Sequence, residues 1–151
     1  MALPTSIELQ IVTPDKLLVK EQVDEVEIPG TEGYFGVLPG HTPLLASLAV
    51  GEMWYRKGQE RTYLLLAYGF CEVLPERVTI LARLAERAED IDVARAEEAR
   101  KRAEARLTAS RGQVDYERAR TSLAKSLARL QVSSRMQLSG RVGRQRMPPP
   151  Q

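Results

Sequence analysis

Hydrophobic and polar positions alternate with period two near the start of the chain. Ser6-Ile7-Glu8-Leu9-Gln10-Ile11-Val12 sets Ile7, Leu9 and Ile11 on one face, the signature of a half-buried strand. Pro14-Asp15 closes it, and Leu17 to Lys20 and Val23 to Ile28 predict two further short strands. From Pro29 to Pro43 the chain is dense in turn residues, with glycines at 30, 33, 36 and 40. That stretch predicts closely spaced turns. Strand signals resume over residues 51–57, where Gly58-Gln59 suits a hairpin turn before residues 61–66. They continue over 69–74 and 78–84, around a Pro75-Glu76 turn. Short strands at such spacing predict a β-sandwich or flattened barrel over residues 1–84.

The period changes near residue 85. Glycine and proline vanish between Ala85 and Arg111, and Ala, Glu and Arg, all good helix formers, dominate. Asp90 or Asp92 can cap the first helix. Val93, Ala96, Ala99, Ala103 and Leu107 recur at helical spacing. Ser110-Arg111-Gly112-Gln113 interrupts the run, and Tyr116, Ala119, Leu123, Leu127 and Leu130 form a second stripe. Two stripes joined by so short a break predict an antiparallel helical hairpin over residues 85–134. The predicted class is therefore α+β in two parts. Residues 135–151, basic and ending in Pro148-Pro149-Pro150-Gln151, lack the composition of a core and are expected to be disordered.

Charge sharpens this division. The chain has a net charge of +2, but residues 1–84 hold 7 Lys/Arg against 11 Asp/Glu, and residues 85–151 hold 15 against 9. A split from −4 to +6 points to two units with different partners, the second meeting something acidic. The single cysteine, Cys71, excludes an internal disulfide and fits a reducing cytoplasm. No stretch is long and apolar enough to span a membrane. The N-terminal residues have neither the basic nor the apolar region of a signal peptide.

One histidine and one cysteine leave no metal cluster and no Cys-His nucleophile pair at readable spacing. The glycines at 30–40 follow neither a dinucleotide nor a phosphate-loop pattern. His41, in Leu38-Pro39-Gly40-His41-Thr42-Pro43, reads either as a turn residue or as a partner contact. Cys71 reads as a small buried hydrophobe. The basic helices read as solvated faces braced by pairs such as Glu97–Lys101 and Glu98–Arg102. The alternative is a nucleic-acid-binding arm, although Tyr116 alone among residues 85–151 could stack on a base. No active site is legible, and no enzyme activity is expected.

Gly33-Tyr34-Phe35-Gly36-Val37-Leu38-Pro39-Gly40-His41-Thr42-Pro43-Leu44-Leu45 resembles the ε subunits of bacterial F-type ATP synthases. So do Gly69-Phe70-Cys71-Glu72-Val73, Val78 to Ala82, and the hairpin segments Gly112 to Tyr116, Leu123-Ala124-Lys125 and Leu130-Gln131-Val132. The resemblance covers residues 5 to about 134. This chain has Tyr68-Gly69-Phe70 where the family often has Gly-Gly-Phe. It has Tyr34 where relatives that contact the membrane ring are often acidic, and its Arg/Pro tail has no familiar counterpart.

The resemblance implies a sandwich of about ten strands at the foot of the central stalk of a proton-translocating synthase. It would bind subunit γ and rest on the ring of c subunits, with Tyr34 and His41 in the contact. It implies that the helical hairpin is a switch, folded on the sandwich or extended along γ to reach the catalytic α/β head and block ATP hydrolysis. Arg118, Arg120, Lys125 and Arg129 are the implied contacts with acidic loops of the β subunits. The implied location is peripheral, on the cytoplasmic side of the bacterial inner membrane, without direct insertion and without nucleic acid.

Ile91-Asp92-Val93-Ala94-Arg95-Ala96 matches the family motif Ile/Leu-Asp-x-x-Arg-Ala, which binds regulatory ATP in some members. At about 100° per residue, Asp92, Arg95 and Arg102 fall on one rim of the first stripe, and Lys125 and Arg129 flank the second. Two cationic rims meeting across a hairpin could hold a triphosphate. The alternative is that Asp92 caps the helix and Arg95 pairs locally. Lys125, where tight binders carry arginine, loses the bidentate fork. No cofactor is required; regulatory ATP is the one ligand implied.

Overall fold

The computed structural model describes residues 2–144, with side chains described to Leu138. Seven strands form one antiparallel-dominated sheet in the order β2-β1-β7-β6-β5-β3-β4. They are β1 (Ile7–Val12), β2 (Leu17–Val23), β3 (Glu25–Gly30), β4 (Gly33–Val37), β5 (Leu44–Lys57), β6 (Glu60–Val73) and β7 (Arg77–Arg87). β1 and β7 pair in parallel, and the other neighbours are antiparallel. The sheet folds over on itself as a sandwich. Ile7, Leu9 and Ile11 of β1 meet Val26 and Ile28 of β3, Met53 and Tyr55 of β5, and Leu64 and Leu66 of β6 in one core. The alternation in β1 buries the residues that the sequence pattern selected, because period two puts them on one face.

Seven strands replace the expected ten. β4 occupies part of the stretch read as turns, and residues 44–50 belong to β5. Residues 60–73 form one strand, not two. β7 runs to Arg87, so the sheet ends three residues beyond the expected boundary at 84.

Ala49, Tyr68 and Arg83 mark a line across β5, β6 and β7 where all three strands change the face they bury. On one side Leu48, Cys71 and Ala82 point into the core. On the other, Met53, Leu64 and Leu66 do so. Pairing continues in the same register through the step, from Leu48↔Gly69 to Val50↔Ala67 and from Gly69↔Ala82 to Ala67↔Leu84. The backbone supplies the turn. Tyr68 has φ 60° and Gly69 φ 119°, and a Cβ on Gly69 would lie 1.9 Å from the carbonyl oxygen of Leu81. This explains why a second glycine is natural at position 68.

After a short 3-10 turn (Ala88–Asp90), α1 (Val93–Ala109) and α2 (Gln113–Arg144) form an antiparallel hairpin. The seam is small: Ala96 and Ala103 of α1 and Ala119 of α2 are buried. α2 has a second face. Ala128 and Val132 pack on Leu65 and Ala88, with Val50, Tyr63, Leu84 and Ile91 around them. The apolar run Leu64 to Ala67 is thus covered on both sides, by the sandwich core and by α2. Leu127, expected in the stripe, is 48% exposed, because the buried stripe bends towards the sheet. α2 continues ten residues past 134, so residues 135–144, expected to be disordered, are helical. The expectation for 145–151 falls outside the described residues.

Candidate functional site

The hairpin closes over the end of β7 and leaves a cleft of about 390 Å³ lined by Glu86, Asp90, Asp92, Arg95, Ala96, Ala99, Arg102 and Arg129. Each position follows from its element. Asp92 is the N-cap of α1, and its carboxylate accepts a 3.0 Å hydrogen bond from the main-chain N–H of Arg95. Capping therefore fixes the start of the helix and presents the Asp92 carboxylate beside the cleft. Arg95, Ala96, Ala99 and Arg102 recur at helical spacing on the cleft side of α1. Ala96 and Ala99 are small and leave the space between the helices open. Arg129 enters from α2, and its guanidinium makes a bidentate pair with Glu86 at the end of β7, at 2.8 and 2.9 Å. That bond holds its proton more firmly than usual, against the opposing effect of burial.

Five of the seven residues expected around ATP (Asp92, Arg95, Ala96, Arg102 and Arg129) line this cleft. Ile91 and Lys125 do not. Ile91 packs against the cluster of Leu65, Ala88, Ala128 and Val132, and the Lys125 ammonium lies over the Tyr68 ring, 5.6 Å from its centroid. Lys125 leaves the cleft because it points to the sheet side of α2. Sequence reasoning missed Glu86, Asp90 and Ala99. Ala99 was legible as a stripe position, but Glu86 enters only through strand-to-helix packing. Three guanidiniums facing three carboxylates give a balanced cleft, one that can accept a polyanion if an arginine exchanges its carboxylate for a phosphate.

The other expected cations are elsewhere. Arg118 and Arg120 are exposed on α2. On α1, Arg100 pairs with Glu97 and Glu104, and Arg102 lies 3.9 Å from Glu98. The expected Glu97–Lys101 brace is thus replaced by Glu97–Arg100, one residue closer.

The sandwich carries a second feature. Tyr34 is 56% exposed on β4 beside an apolar hollow of about 430 Å³ that includes Phe35, Leu44 and Leu45. The His41 ring donates from Nδ1 to its neighbour's carbonyl, Thr42 O, at 2.6 Å, and the Gly40 N–H donates to Pro75 O at 2.7 Å. The loop is thereby tied to the β6–β7 turn. Close by, Leu45, Phe70 and Leu81 point outwards from β5, β6 and β7, with Phe70 directly opposite Leu81. The sequence reading missed this apolar face. Its signal lay in the interrupted alternation of β6, which becomes readable only once the step at Tyr68 is known.

Two family models match the chain in succession. The ATP synthase, Delta/Epsilon chain, beta-sandwich domain matches residues 6–88, and the ATP synthase, Delta/Epsilon chain, long alpha-helix domain matches residues 89–134. The ATP synthase epsilon chain of Nitratidesulfovibrio vulgaris is 50% identical over 127 residues, 84% of this chain and 95% of that one. That of Koribacter versatilis is 58% identical over 105 residues, 70% of this chain and 74% of that one. A chain in the mitochondrial ATP synthase assembly of Euglena gracilis, containing OSCP, F1 and the c-ring, shares the fold with TM-score 0.78 at 24% identity. The match covers 85% of this chain and 81% of that one.

Proposed function

The chain belongs to the ATP synthase delta/epsilon family as an epsilon-type subunit, and from that premise we propose that it couples the rotor to the catalytic head and restrains ATP hydrolysis through its hairpin. The sandwich is the docking half. Its outward Leu45, Phe70 and Leu81 offer an apolar face of the kind a stalk partner such as γ would cover. Tyr34 and the tied His41 loop stand beside it, where the c-ring contact is proposed. The role is a coupling one, with no chemistry of its own. The location proposed is peripheral, on the cytoplasmic side of the bacterial membrane. Among the described residues no helix is long and apolar enough to cross a membrane.

The observation that carries the switch is the cleft between hairpin and sheet, because its two walls separate if the hairpin lifts. Arg95 and Arg102 belong to α1, Arg129 to α2 and Glu86 to β7. A triphosphate held there adds counter-charge that only the closed form can use. In this reading Arg129 shifts from Glu86 towards phosphate, while Arg95 and Arg102 hold the other oxygens. A ligand at ten times its dissociation constant favours the closed form by about 1.4 kcal/mol, roughly tenfold in population. The alanine seam of α1 and α2 buries little area per residue, so the open form is within reach.

The test places distance labels on α2 and on the sandwich. ATP should shorten the distances, and Arg95→Ala should abolish the response without unfolding α1, since Ala is the better helix former. Wild-type distances that ignore millimolar ATP would return Asp92 to the role of helix cap alone.

A further inference from the structure

The far part of α2 covers a carboxylate that the proposed switch leaves unused. Glu52 stands on the outward face of β5, where it is only 8% exposed. Its Oε2 is buried and has no hydrogen-bond partner among the described residues. Its Oε1 lies 3.7 Å from Nε of Arg135 on α2, beyond hydrogen-bond reach, and the Arg135 side chain is itself 53% exposed. Around it, β6 presents Leu65 directly opposite, with Tyr63 opposite Trp54 one step along the same face. β3 brings Glu27. β4 brings Tyr34, whose hydroxyl is linked to Glu52 through a main-chain hydrogen bond. Burial pushes the Glu52 carboxyl above the ordinary range, Arg135 pulls it down, and Glu27 adds a further upward push. The buried charge is therefore incompletely compensated.

We propose that Glu52 is a proton-operated lock beneath α2: its ionised form works against the seating of the helix on the sheet, and uptake of a proton tightens that seat. Lifting α2 returns the carboxyl to water, so the seated form holds the proton more firmly than the lifted one. Seating is then strongest at and below the ordinary carboxylate range, and it weakens as pH rises through the elevated value. Arg135 limits the loss. Arg135 stands one residue beyond the segment matched by the helical family model. The lock rests on the reading of the hairpin as a movable element, and it acts at a different place from the nucleotide cleft.

Amide hydrogen exchange over residues 128–134 of the full chain, corrected for the intrinsic pH dependence of exchange, reads the seat directly. Wild type should lose protection several-fold as pH rises above the ordinary carboxylate range. Glu52→Gln should remove that part of the slope. Arg135→Gln should deepen the loss and move it to higher pH, because the compensating charge beside Glu52 has gone. A Glu52→Gln profile with the wild-type slope overturns the proposal, as does an Arg135→Gln profile that coincides with wild type. An absent ATP response with this pH response intact sinks nucleotide sensing alone. The reverse result sinks the lock alone.

Discussion

The Arg129 guanidinium grips both carboxylate oxygens of Glu86, through Nε at 2.9 Å and Nη2 at 2.8 Å, and so joins the middle of α2 to the end of β7. Both side chains are about a quarter exposed, which screens the pair less than a surface ion pair and avoids the full desolvation cost of a buried one. It is a tether between hairpin and sandwich.

Removing that tether should loosen the hairpin without unfolding the sandwich. Arg129→Ala is expected to weaken closure by roughly 1–2 kcal/mol, as for a bidentate, partly shielded pair. Glu86→Gln should cost less, since one oxygen still accepts. Hydrogen exchange in α2, compared with that in β1 and β7, measures the difference. Equal loosening of helix and core strands would mean that the pair holds the whole fold.

The cations of α2 divide into two groups that only the fold distinguishes. Lys125 and Arg129 are engaged within the closed molecule, whereas Arg118 and Arg120 face solvent. If the extended hairpin meets acidic loops of the catalytic head, Arg118→Gln with Arg120→Gln should relieve inhibition of ATP hydrolysis while leaving closure unchanged. Each exposed pair is worth about 1 kcal/mol or less, so a joint effect of severalfold is expected. An unchanged hydrolysis rate in the assembled enzyme would count against an electrostatic contact.

Gly69→Ala should be among the most damaging single-atom changes in the sandwich. The position has φ 119° and almost no room for a Cβ against Leu81 O. A loss of about 2 kcal/mol or more is expected in a denaturant melt. Tyr68→Gly should relieve strain at φ 60° but remove the ring beneath Lys125, leaving sandwich stability near wild type and the hairpin less firmly seated.

The Cys71 thiol is 1% exposed, and burial pushes it up to about 11. The folded state therefore resists forming thiolate. At pH 8 the native chain should react with a thiol reagent at least roughly a hundredfold more slowly than the unfolded chain. From the ordinary thiol value to about 11, this group should lower stability as pH rises, by about 1.4 kcal/mol per unit. Melts of wild type and Cys71→Ala across that range test the sign. A wild-type curve that does not fall relative to the variant would contradict it.

Local pattern carried much of this far. Ile7, Leu9 and Ile11 were readable as core because period two needs no knowledge of neighbours. The hairpin break at Ser110 to Gln113 was readable because glycine and the loss of apolar period coincide there. Residues 44–50 were not. Their strand exists through pairing with Cys71, Phe70 and Gly69, contacts distant in sequence. The Ile91-to-Ala96 motif was visible at once, but Glu86, which lines the same cleft and pairs with Arg129, was not, since no spacing along the chain announces which strand end a helix will cover.

The amino-acid sequence by itself determined the two-part architecture, a cap at Asp90 or Asp92, the small-residue seam of the hairpin and the family. Each depends on residue type and short-range spacing, which the backbone converts directly into strand or helix faces. Tertiary structure alone decided that Leu45, Phe70 and Leu81 face outwards together, that Lys125 turns from the cleft to Tyr68, and that Glu52 is sealed beneath α2. Those outcomes depend on the step at Tyr68 and on the angle at which α2 crosses the sheet. Both are set by the sum of many weak packing contacts between segments far apart in the chain, and no local pattern encodes that sum.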